Sequence, residues 1–542
     1  MHSTGTTRGT PRPPHSGLVS EAQMRVRVVS ALQAAELDRR TIASGVPSRV
    51  LMQSAGRAAA ALLIERFPLE TSRGVAIYAG AGNNGGDAWV VAAELARRGI
   101  RVRVAECAAA KTPDAIAERE AASAVLQHDA PDGAEGVIVD GLLGTGAAGA
   151  PRGPIADAIK LINSAAARGA KIVALDIPSG VDATSGECAG SCVQADLTVT
   201  FGAMKRGLLV NRDAAGAIVV VDIGVADVAA TFDDAPWLVD ETTVIRSVPP
   251  ITASAHKGTR KRLLIVGGSL GYAGSTVLAA RGAMRSGIGM VKLCVEPASI
   301  AAVQTLEPAA MAVAWPETDT ELQALLAWAN VVLVGPGLGV AESSREFARR
   351  LLTSWRGPVV VDADALTAFT GAASELGALL AGRPAVITPH AVEFSRLAGV
   401  DLAEVNARRF EIAGELARAI HSTVLLKGVP TIVSDGSVTE VSAAGTPVLA
   451  TGGSGDVLGG IVATLLAQSN ESRLSAAAAA WVHGRAAERA GAGRIRGVTV
   501  HDVIAALAGA WPTGDSERTL PVIAELAAVG EREVAPPVSR TP

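Results

Sequence analysis

Short apolar runs, separated by segments long enough for helices, recur along most of the chain. In the first half they occupy residues 74–78, 102–105, 137–140, 171–176, 197–201 and 217–222. In the second half they occupy residues 262–266, 289–295, 331–334, 359–361, 385–388, 423–426 and 431–434. Continuous apolar runs that alternate with helical segments are typical of parallel strands buried on both faces. The pattern therefore predicts two successive α/β units.

Helix signals support this division. Ser30 stands three residues before Gln33, a spacing typical of a capping box, and a second helix is predicted from Ser48. Three further helices are predicted at 455–467, 475–490 and 500–510. Periodicity weakens between about 224 and 255, where Pro249 and Pro250 occur, so we expect an inter-domain connection there. The two halves share no sequence period, which excludes a tandem repeat.

The length of the chain also favours more than one domain, because 542 residues exceed what a single hydrophobic core organises. Two large α/β domains fit best. The sequence predicts a disordered tail over 1–24, a first domain over 25–225, a linker over 226–250, a second domain over 251–512 and a mobile tail over 513–542.

Composition and charge exclude several classes of protein. The net charge is −4 and no long basic block occurs, which argues against nucleic-acid binding. The sequence contains no uninterrupted run of 18 apolar residues, so no membrane span is predicted. The four cysteines lack paired metal-ligand spacing, so Cys188 and Cys192 are expected to be incidental thiols in a reducing cytoplasm. We therefore expect small-molecule partners and a cytoplasmic homo-oligomer.

The segment Gly453-Ser454-Gly455-Asp456 carries the sharpest chemical signal. Two glycines that open a helix leave backbone N–H groups free to hold an anion, with the Asp456 carboxylate beside them as a base. Such an arrangement suits phosphoryl transfer. The alternative is an ordinary glycine-rich helix start, and the tetrapeptide alone does not decide between the two.

Three loops in the first half follow consecutive predicted strands, at residues 79–87, 141–146 and 177–182. Ligands of open α/β sheets bind at the carboxyl ends of the strands, so these loops are expected to form one crevice. The first loop is neither a dinucleotide fingerprint nor a Walker A sequence, and Asn and Gly there also suit a plain turn. Asp176, at a strand end, is a candidate proton shuttle or a simple helix cap.

These residues resemble the YjeF N-terminal family of NAD(P)H-hydrate epimerases, over most of residues 25–225. The resemblance implies a Rossmann-like three-layer α/β/α sandwich and a bound K⁺ held by Asn84, Asp140 and Ser179. It also implies that the hydrated nucleotide contacts Asn83, Asn84, Gly85, Gly86, Asp87, Gly144, Thr145, Gly146 and Asp176. Ala88 departs from the family, which usually has glycine there. The expected reaction inverts a hemiaminal carbon of hydrated NADH or NADPH, with Asp176 as the proton-transfer group.

The second half contains a further set of motifs: His256-Lys257-Gly258, Gly267-Gly268-Ser269, Gly335-Pro336-Gly337-Leu338-Gly339, Asp362-Ala363-Asp364, Pro389 to Phe394 and Lys427-Gly428. With the Gly453 segment, this set resembles the ribokinase-like fold and, more closely, the C-terminal YjeF family of ADP-dependent NAD(P)H-hydrate dehydratases. The match covers residues 251–512. Taken alone, His390 and Glu393 indicate only a helix start, and zinc is not expected.

The second resemblance implies a set of site residues. The hydrate substrate is expected at Gly337, Pro389, His390, Glu393 and Asp456. The co-substrate ADP, with Mg²⁺, is expected at Lys427, Gly428, Val429, Pro430, Thr431, Leu449, Ala450, Thr451, Gly452, Gly453, Ser454 and Gly455. Asp456 is expected to accept the proton of the ring hydroxyl as that oxygen attacks the terminal phosphate.

The overall expectation is a bifunctional enzyme that repairs hydrated NADH and NADPH (NADHX and NADPHX). The first domain interconverts the R and S epimers, and the second dehydrates the S form with ADP, giving AMP and phosphate. Two alternatives remain at this stage. In one, the second domain is a small-molecule kinase that uses the same aspartate. In the other, the first domain is a nucleotide-binding module without catalysis.

Overall fold

The structure of the protein is a computed structural model that describes residues 25–126, 129–233, 235–514 and 520–529. The tail predicted over 1–24 lies outside the described residues. Within the described ranges no helix is both long and apolar enough to cross a membrane.

The first half of the chain folds around one large sheet with helices on both sides, and β1 and β7 pair as a separate two-stranded sheet. Its strands are β1 (Val28–Val29), β2 (Val75–Ala79), β3 (Val102–Glu106), β4 (Val137–Gly141), β5 (Lys171–Leu175), β6 (Leu197–Phe201), β7 (Met204–Lys205) and β8 (Ala217–Val221). Its helices are α1 (Ala31–Ala43), α2 (Ser48–Arg66), α3 (Pro68–Thr71), α4 (Asn83–Arg97), α5 (Pro113–Ser123), α6 (Gly153–Ala167), α7 (Arg206–Val210) and α8 (Arg212–Ala215).

Three elements follow as the chain crosses to the second half: α9 (Ala226–Ala230), β9 (Trp237–Leu238) and α10 (Glu241–Ser247). The later strands are β10 (Arg262–Val266), β11 (Met290–Val295), β12 (Met311–Ala314), β13 (Val331–Val334), β14 (Val359–Val361), β15 (Ala385–Ile387), β16 (Thr423–Leu426), β17 (Thr431–Ser434), β18 (Thr439–Ser442) and β19 (Val522–Leu526).

The later helices surround this second set of strands. They are α11 (Ala273–Arg285), α12 (Ile300–Leu306), α13 (Asp319–Trp328), α14 (Glu342–Ser354), α15 (Asp364–Thr367), α16 (Ala373–Leu380), α17 (Ala391–Ala398), α18 (Leu402–Ala407), α19 (Arg409–Ile420), α20 (Ser454–Ser469), α21 (Ser472–Gly491) and α22 (Val500–Ala506).

Each large sheet reverses its strand order at one point. The first sheet has the order β19-β8-β6-β5-β4-β2-β3, and the second has β12-β11-β10-β13-β14-β15-β16-β17-β18-β9. The chain leaves β2 toward β3 and returns to the other side as β4; it does the same around β10 and β13. Ligands of such sheets bind outside the carboxyl ends of the strands at this switch point. The glycine-rich loops after β2, β4, β10 and β13 lie there.

The predicted fold class is confirmed, and so is each predicted strand and the capping box of α1, in which Ser30 accepts from the Gln33 amide. Besides β9, two strands of the second sheet were missed. β12 lies at the sheet edge and is partly exposed, while β18 has the polar sequence Thr-Glu-Val-Ser. The polar residues of β18 break the apolar run on which the prediction depended, whereas Met311 to Ala314 form an apolar run that the prediction missed.

Two predictions about irregular segments are wrong. The predicted linker contains β9, which pairs in parallel with β18 and so extends the second sheet. The predicted mobile tail contains β19, which returns to the first sheet and pairs antiparallel with β8. Its Ile523 and Ala524 are buried, and the pairing covers an edge of β8 that would otherwise be exposed.

The prediction of incidental thiols is also wrong, because Cys188 and Cys192 form a disulfide. The bridge closes a short loop beside the turn after β5, where Val193 N–H donates to the Ser179 carbonyl (2.9 Å). Cys107 and Cys294 are free thiols.

Candidate active sites in two domains

The first site is a cavity of about 610 Å³ at the switch point of the first sheet. It brings together most of the sequence-predicted epimerase residues, namely Asn83, Asn84, Asp87, Gly144, Thr145, Gly146 and Asp176. Gly85 and Gly86 lie behind the cavity wall. A Cβ atom at Gly85 would lie 2.0 Å from the Gly80 carbonyl oxygen, so glycine there permits the loops to pack closely.

Beside this cavity Asp140 and Ser179 are hydrogen-bonded to each other, and the backbone of Leu143 links them to Asn84. Ser179 Oγ donates to Asp140 Oδ1 (2.6 Å), and the Ser179 backbone N–H donates to Asp140 Oδ2 (2.8 Å). Asn84 Nδ2 donates to the Leu143 carbonyl (2.9 Å). Within the described part of the chain, the buried Asn84 Oδ1 has no hydrogen-bond partner. An orphaned amide oxygen near a buried carboxylate fits a hard cation such as K⁺.

Burial changes the pKa of the Asp140 carboxylate. Desolvation raises the pKa of Asp140 to about 6, although hydrogen bonds from Ser179 and Leu142 favour the charged form. A cation at the Asn84 oxygen would offset that cost. Among the described residues no cluster of three or more Asp, Glu, His or Cys side chains is arranged as a metal site, so carbonyl and hydroxyl oxygens must complete any such ligand set.

Asp176 lies at the end of β5 in an unusual backbone conformation, with φ of 61°. A residue other than glycine rarely adopts this region, and such strain concentrates at functional sites. Three donors converge on its Oδ1: Lys205 Nζ (2.5 Å), Thr200 Oγ1 (3.2 Å) and the Phe201 N–H (3.3 Å). These contacts fix the orientation of the carboxylate and direct its second oxygen away from them.

Sequence reasoning missed two charged residues of this cavity. Lys205 from β7 pairs with Asp176, and its side chain is only 4% exposed. Asp38 from α1 also lines the cavity; although it is accessible to solvent, desolvation by the surrounding protein raises its pKa to about 6. Asp87 is buried, and its pKa is raised well above the usual range, chiefly by desolvation and then by Asp176. No spacing in the sequence links these residues to Asp176.

The second site lies where loops from β10, β13, β14 and β16 meet the start of α20. Gly337 has φ of 58° and lies against Tyr272, since a Cβ atom there would be 2.6 Å from the Tyr272 carbonyl oxygen. Ser269 donates from both its N–H and its Oγ to the Gly337 carbonyl (2.7 and 3.0 Å). The Gly337 loop is therefore fixed against the loop that follows β10.

His390 and Glu393 form a capping box at the start of α17. His390 Nδ1 accepts from the Val392 and Glu393 amides, and Glu393 Oε2 accepts from the His390 N–H (2.8 Å). This explains their spacing of three residues without a metal. The Lys427 backbone N–H donates to the Pro389 carbonyl (2.8 Å), so the predicted hydrate-binding and ADP-binding segments are joined here.

The start of α20 supplies the expected anion-binding geometry. Gly453 precedes the helix with φ of 85°, which a side chain would disfavour. A Cβ atom at Gly452 would meet nothing within 4 Å, and one at Gly455 would meet only Lys427 Nζ at 3.4 Å. The helix start is therefore open, and the Lys427 ammonium lies beside it. Ser454 Oγ lies 3.4 Å from His483 Nε2, whose burial lowers its pKa to about 4.

Asp456 occupies the first turn of α20 and is partly buried. Its pKa is raised to about 7, first by desolvation and then by the negative charge of Asp362; a hydrogen bond from Ser275 and the charge of Lys427 oppose the shift. A carboxylate with a pKa near neutrality is suited to accept a proton from a hydroxyl group. The structure thus places Asp456 beside an open glycine-lined helix start, as the sequence predicted.

Comparison with known proteins supports the division into two domains. A family model described as YjeF-related protein N-terminus matches residues 48–207, and one described as NAD(P)H-hydrate dehydratase matches residues 263–508. A solved structure of the ADP/ATP-dependent NAD(P)H-hydrate dehydratase from Bacillus subtilis, co-crystallised with ATP/Mg²⁺, is 26% identical. It covers 51% of this chain and 97% of its own, with a TM-score of 0.44.

Two relatives match this chain over most of its length. The bifunctional NAD(P)H-hydrate repair enzyme Nnr of Coxiella burnetii is 35% identical, over 84% of this chain and 93% of the relative. The protein of that name from Escherichia coli is 34% identical, over 81% of this chain and 84% of the relative. The chain belongs to the family of bifunctional NAD(P)H-hydrate repair enzymes.

Proposed function

We propose that this chain repairs hydrated NADH and NADPH at two separate sites. The cavity beside Asp176 interconverts the R and S epimers, and the site beside Asp456 dehydrates the S form with ADP. The observation that carries the proposal most directly is the position of Asp456, whose pKa is near neutrality and which lies beside an anion-binding helix start.

Dehydration begins with transfer of the hydroxyl proton to Asp456. The oxygen of this hydroxyl group attacks the terminal phosphorus of ADP, the bond from that phosphorus to the bridging oxygen breaks, and AMP leaves. The ring nitrogen then expels phosphate, which breaks the carbon–oxygen bond, and loss of a proton from the adjacent ring carbon restores the dihydronicotinamide. Phosphorylation thus converts hydroxide, a poor leaving group, into phosphate.

The nucleotide is proposed to lie across two segments of the chain. Lys427 to Thr431 approaches Leu449 to Gly455 at Lys427 Nζ, which lies 3.4 Å from where a Cβ atom on Gly455 would be. The amides at the start of α20 and the Lys427 ammonium would stabilise the charge that develops on the phosphate. Mg²⁺ is proposed to arrive with the phosphates of ADP, as is usual for this ion, and to reduce their negative charge.

Epimerisation, by loss of hydroxide or by ring opening, needs a group that gives and takes a proton at the hydroxyl group of the hemiaminal carbon. Asp176 is proposed for this role, because Lys205 and Thr200 hold one carboxylate oxygen and leave the other for the substrate. Asn84, Asp140 and Ser179 would hold K⁺. When bound, the ion supplies positive charge beside the nucleotide. The cytoplasmic location and the homo-oligomeric state stay predictions.

Product analysis tests the proposal against the kinase alternative. Purified protein is incubated with mixed hydrate epimers and either ADP or ATP, and the absorbance of the dihydronicotinamide is followed while nucleotides and phosphate are separated by chromatography. The proposal expects NAD(P)H, AMP and free phosphate from ADP. A stable phosphorylated product without recovery of the absorbance would establish a kinase and overturn the proposal.

A further inference from the structure

Asp362 is a buried carboxylate of the second site for which the sequence analysis predicts no role. It follows β14 and is 1% exposed. Its Oδ1 accepts from Lys427 Nζ (2.8 Å) and from the Ala363 N–H (2.9 Å). Its backbone is fixed as well, since the Asp362 N–H donates to the Val334 carbonyl (3.0 Å). A side chain held this firmly next to an active site is suited to orient its partner.

The partner is the Lys427 ammonium, which joins three parts of the site. Besides its contact with Asp362, Lys427 Nζ lies 3.8 Å from Glu393 Oε2 at the start of α17. It also lies 3.4 Å from where a Cβ atom on Gly455 would be, at the start of α20. Burial alone would lower the pKa of Lys427, but Asp362 and Glu393 outweigh burial and raise it. The lysine is therefore held as a cation between the hydrate-binding and phosphate-binding segments.

We propose that Asp362 is a positioning residue of the dehydratase, whose carboxylate holds the Lys427 ammonium at the start of α20, facing the terminal phosphate of ADP. This inference rests on the proposed function of the second site. Without Asp362, Lys427 keeps only the longer contact with Glu393 and gains freedom to leave the phosphate. Misplacing a charge at a phosphoryl-transfer site lowers the rate more than it weakens binding.

Asp362 also acts on Asp456 through its charge. The charged groups that raise or lower the pKa of Asp456 are Asp362, Asp364 and Lys427. Glu393 faces the same lysine. Removal of the Asp362 charge lowers the pKa of Asp456, because Asp362 raises this pKa by more than Lys427 lowers it. Removal of the Lys427 charge has the reverse effect. A double variant is needed to separate this effect of charge from the positioning of Lys427.

The test measures kcat for dehydration against pH in Asp362→Asn and Lys427→Met, with ADP saturating. Asp456 must be ionised to act as a base, so kcat rises with pH through its pKa. Asp362→Asn is expected to lower kcat by about 10²-fold and to shift this rise to lower pH by about one unit. Lys427→Met is expected to shift the rise to higher pH. Asp362→Glu keeps the charge and therefore keeps the wild-type position of the rise.

A double variant tests whether Asp362 acts through Lys427. If it does, Asp362→Asn in the Lys427→Met background lowers kcat by less than it does alone. Circular dichroism and the melting temperature of the same samples control for folding of the second domain. The inference would be overturned if the losses of kcat in the two single variants multiply fully in the double variant. It would also be overturned if both single variants shift the pH at which kcat rises in the same direction. If Asp362→Asn does not fold, an unchanged pH profile of Lys427→Met overturns it. An inactive wild-type protein would instead overturn the proposed function.

Discussion

Both candidate sites lie at the switch point of a largely parallel sheet, and both contain a lysine paired with an aspartate, yet the pairing differs. In the first domain Lys205 pairs with Asp176 itself (2.5 Å). In the second domain Lys427 pairs with Asp362 (2.8 Å), and the proposed base Asp456 has a separate position on α20. The two domains thus use similar parts to give their central carboxylates different environments.

The difference matches the chemistry proposed for each site. In the epimerase the same group gives and takes a proton, and an oriented carboxylate beside an ammonium donor serves both directions. In the dehydratase the base removes a proton while negative charge accumulates on a phosphate. There the lysine is needed at the phosphate, and burial leaves Asp456 with a pKa of about 7. Separate placement of base and cation therefore suits the second reaction.

The largest expected effect is the loss of dehydration in Asp456→Asn. An amide cannot accept the hydroxyl proton, so the rate should fall by at least about 10³-fold. The measurement is recovery of dihydronicotinamide absorbance from pure S hydrate and ADP. Epimerisation by the same variant should stay at the wild-type rate, and its loss in a folded protein would contradict two independent sites.

Asp176→Asn is expected to show the opposite pattern, with epimerisation lost and dehydration kept. Epimerisation, followed by chromatographic separation of the R and S forms, should fall by about 10²-fold, while dehydration of pure S hydrate is unchanged. Lys205→Met removes the ammonium but keeps the carboxylate, so a smaller loss of about tenfold is expected. Near-wild-type epimerisation by folded Asp176→Asn would exclude this residue as the proton-transfer group.

Potassium should stabilise only the first domain. Binding of K⁺ at Asn84, Asp140 and Ser179 is expected to raise the melting temperature by roughly 2–4 °C in KCl relative to LiCl at equal ionic strength. Asn84→Ala removes the unpaired amide oxygen and should abolish the difference. Equal melting temperatures of the wild-type protein in the two salts would count against a potassium site.

The smallest effect concerns stability and pH. The folded-state pKa of Asp456 is about 7, against a reference value of 3.8, so Asp456 favours folding below about pH 4 and this contribution is lost as pH rises through 7. Asp456→Asn cannot ionise, so its melting temperature relative to wild type should be higher at pH 8 than at pH 5. Calorimetry at the two pH values measures this, and a constant difference would show that Asp456 is not desolvated.

Much of the fold was readable from sequence because buried parallel strands give unbroken apolar runs. β19 was not, since its pairing with β8 joins residues about 300 positions apart and leaves no local pattern. The site residues likewise could be predicted where a local pattern marks them, but not where they depend on contacts between distant parts of the chain. Asp456 and Asp176 were identified from the loops that contain them, whereas Lys205 reaches Asp176 from a different strand. Asp362 stood in a recognised motif, but only the structure reveals its contact with Lys427.

The account depends on two aspartates that act in one chain but on different steps, and complementation tests this directly. Mixed R and S hydrates with ADP are given to Asp176→Asn, to Asp456→Asn, or to both proteins together, and NAD(P)H is measured. Asp176→Asn alone should rapidly restore only the S portion, Asp456→Asn alone should restore none, and the mixture should restore the whole pool. Rapid restoration of the whole pool by Asp176→Asn alone, or no gain on mixing, would contradict the account.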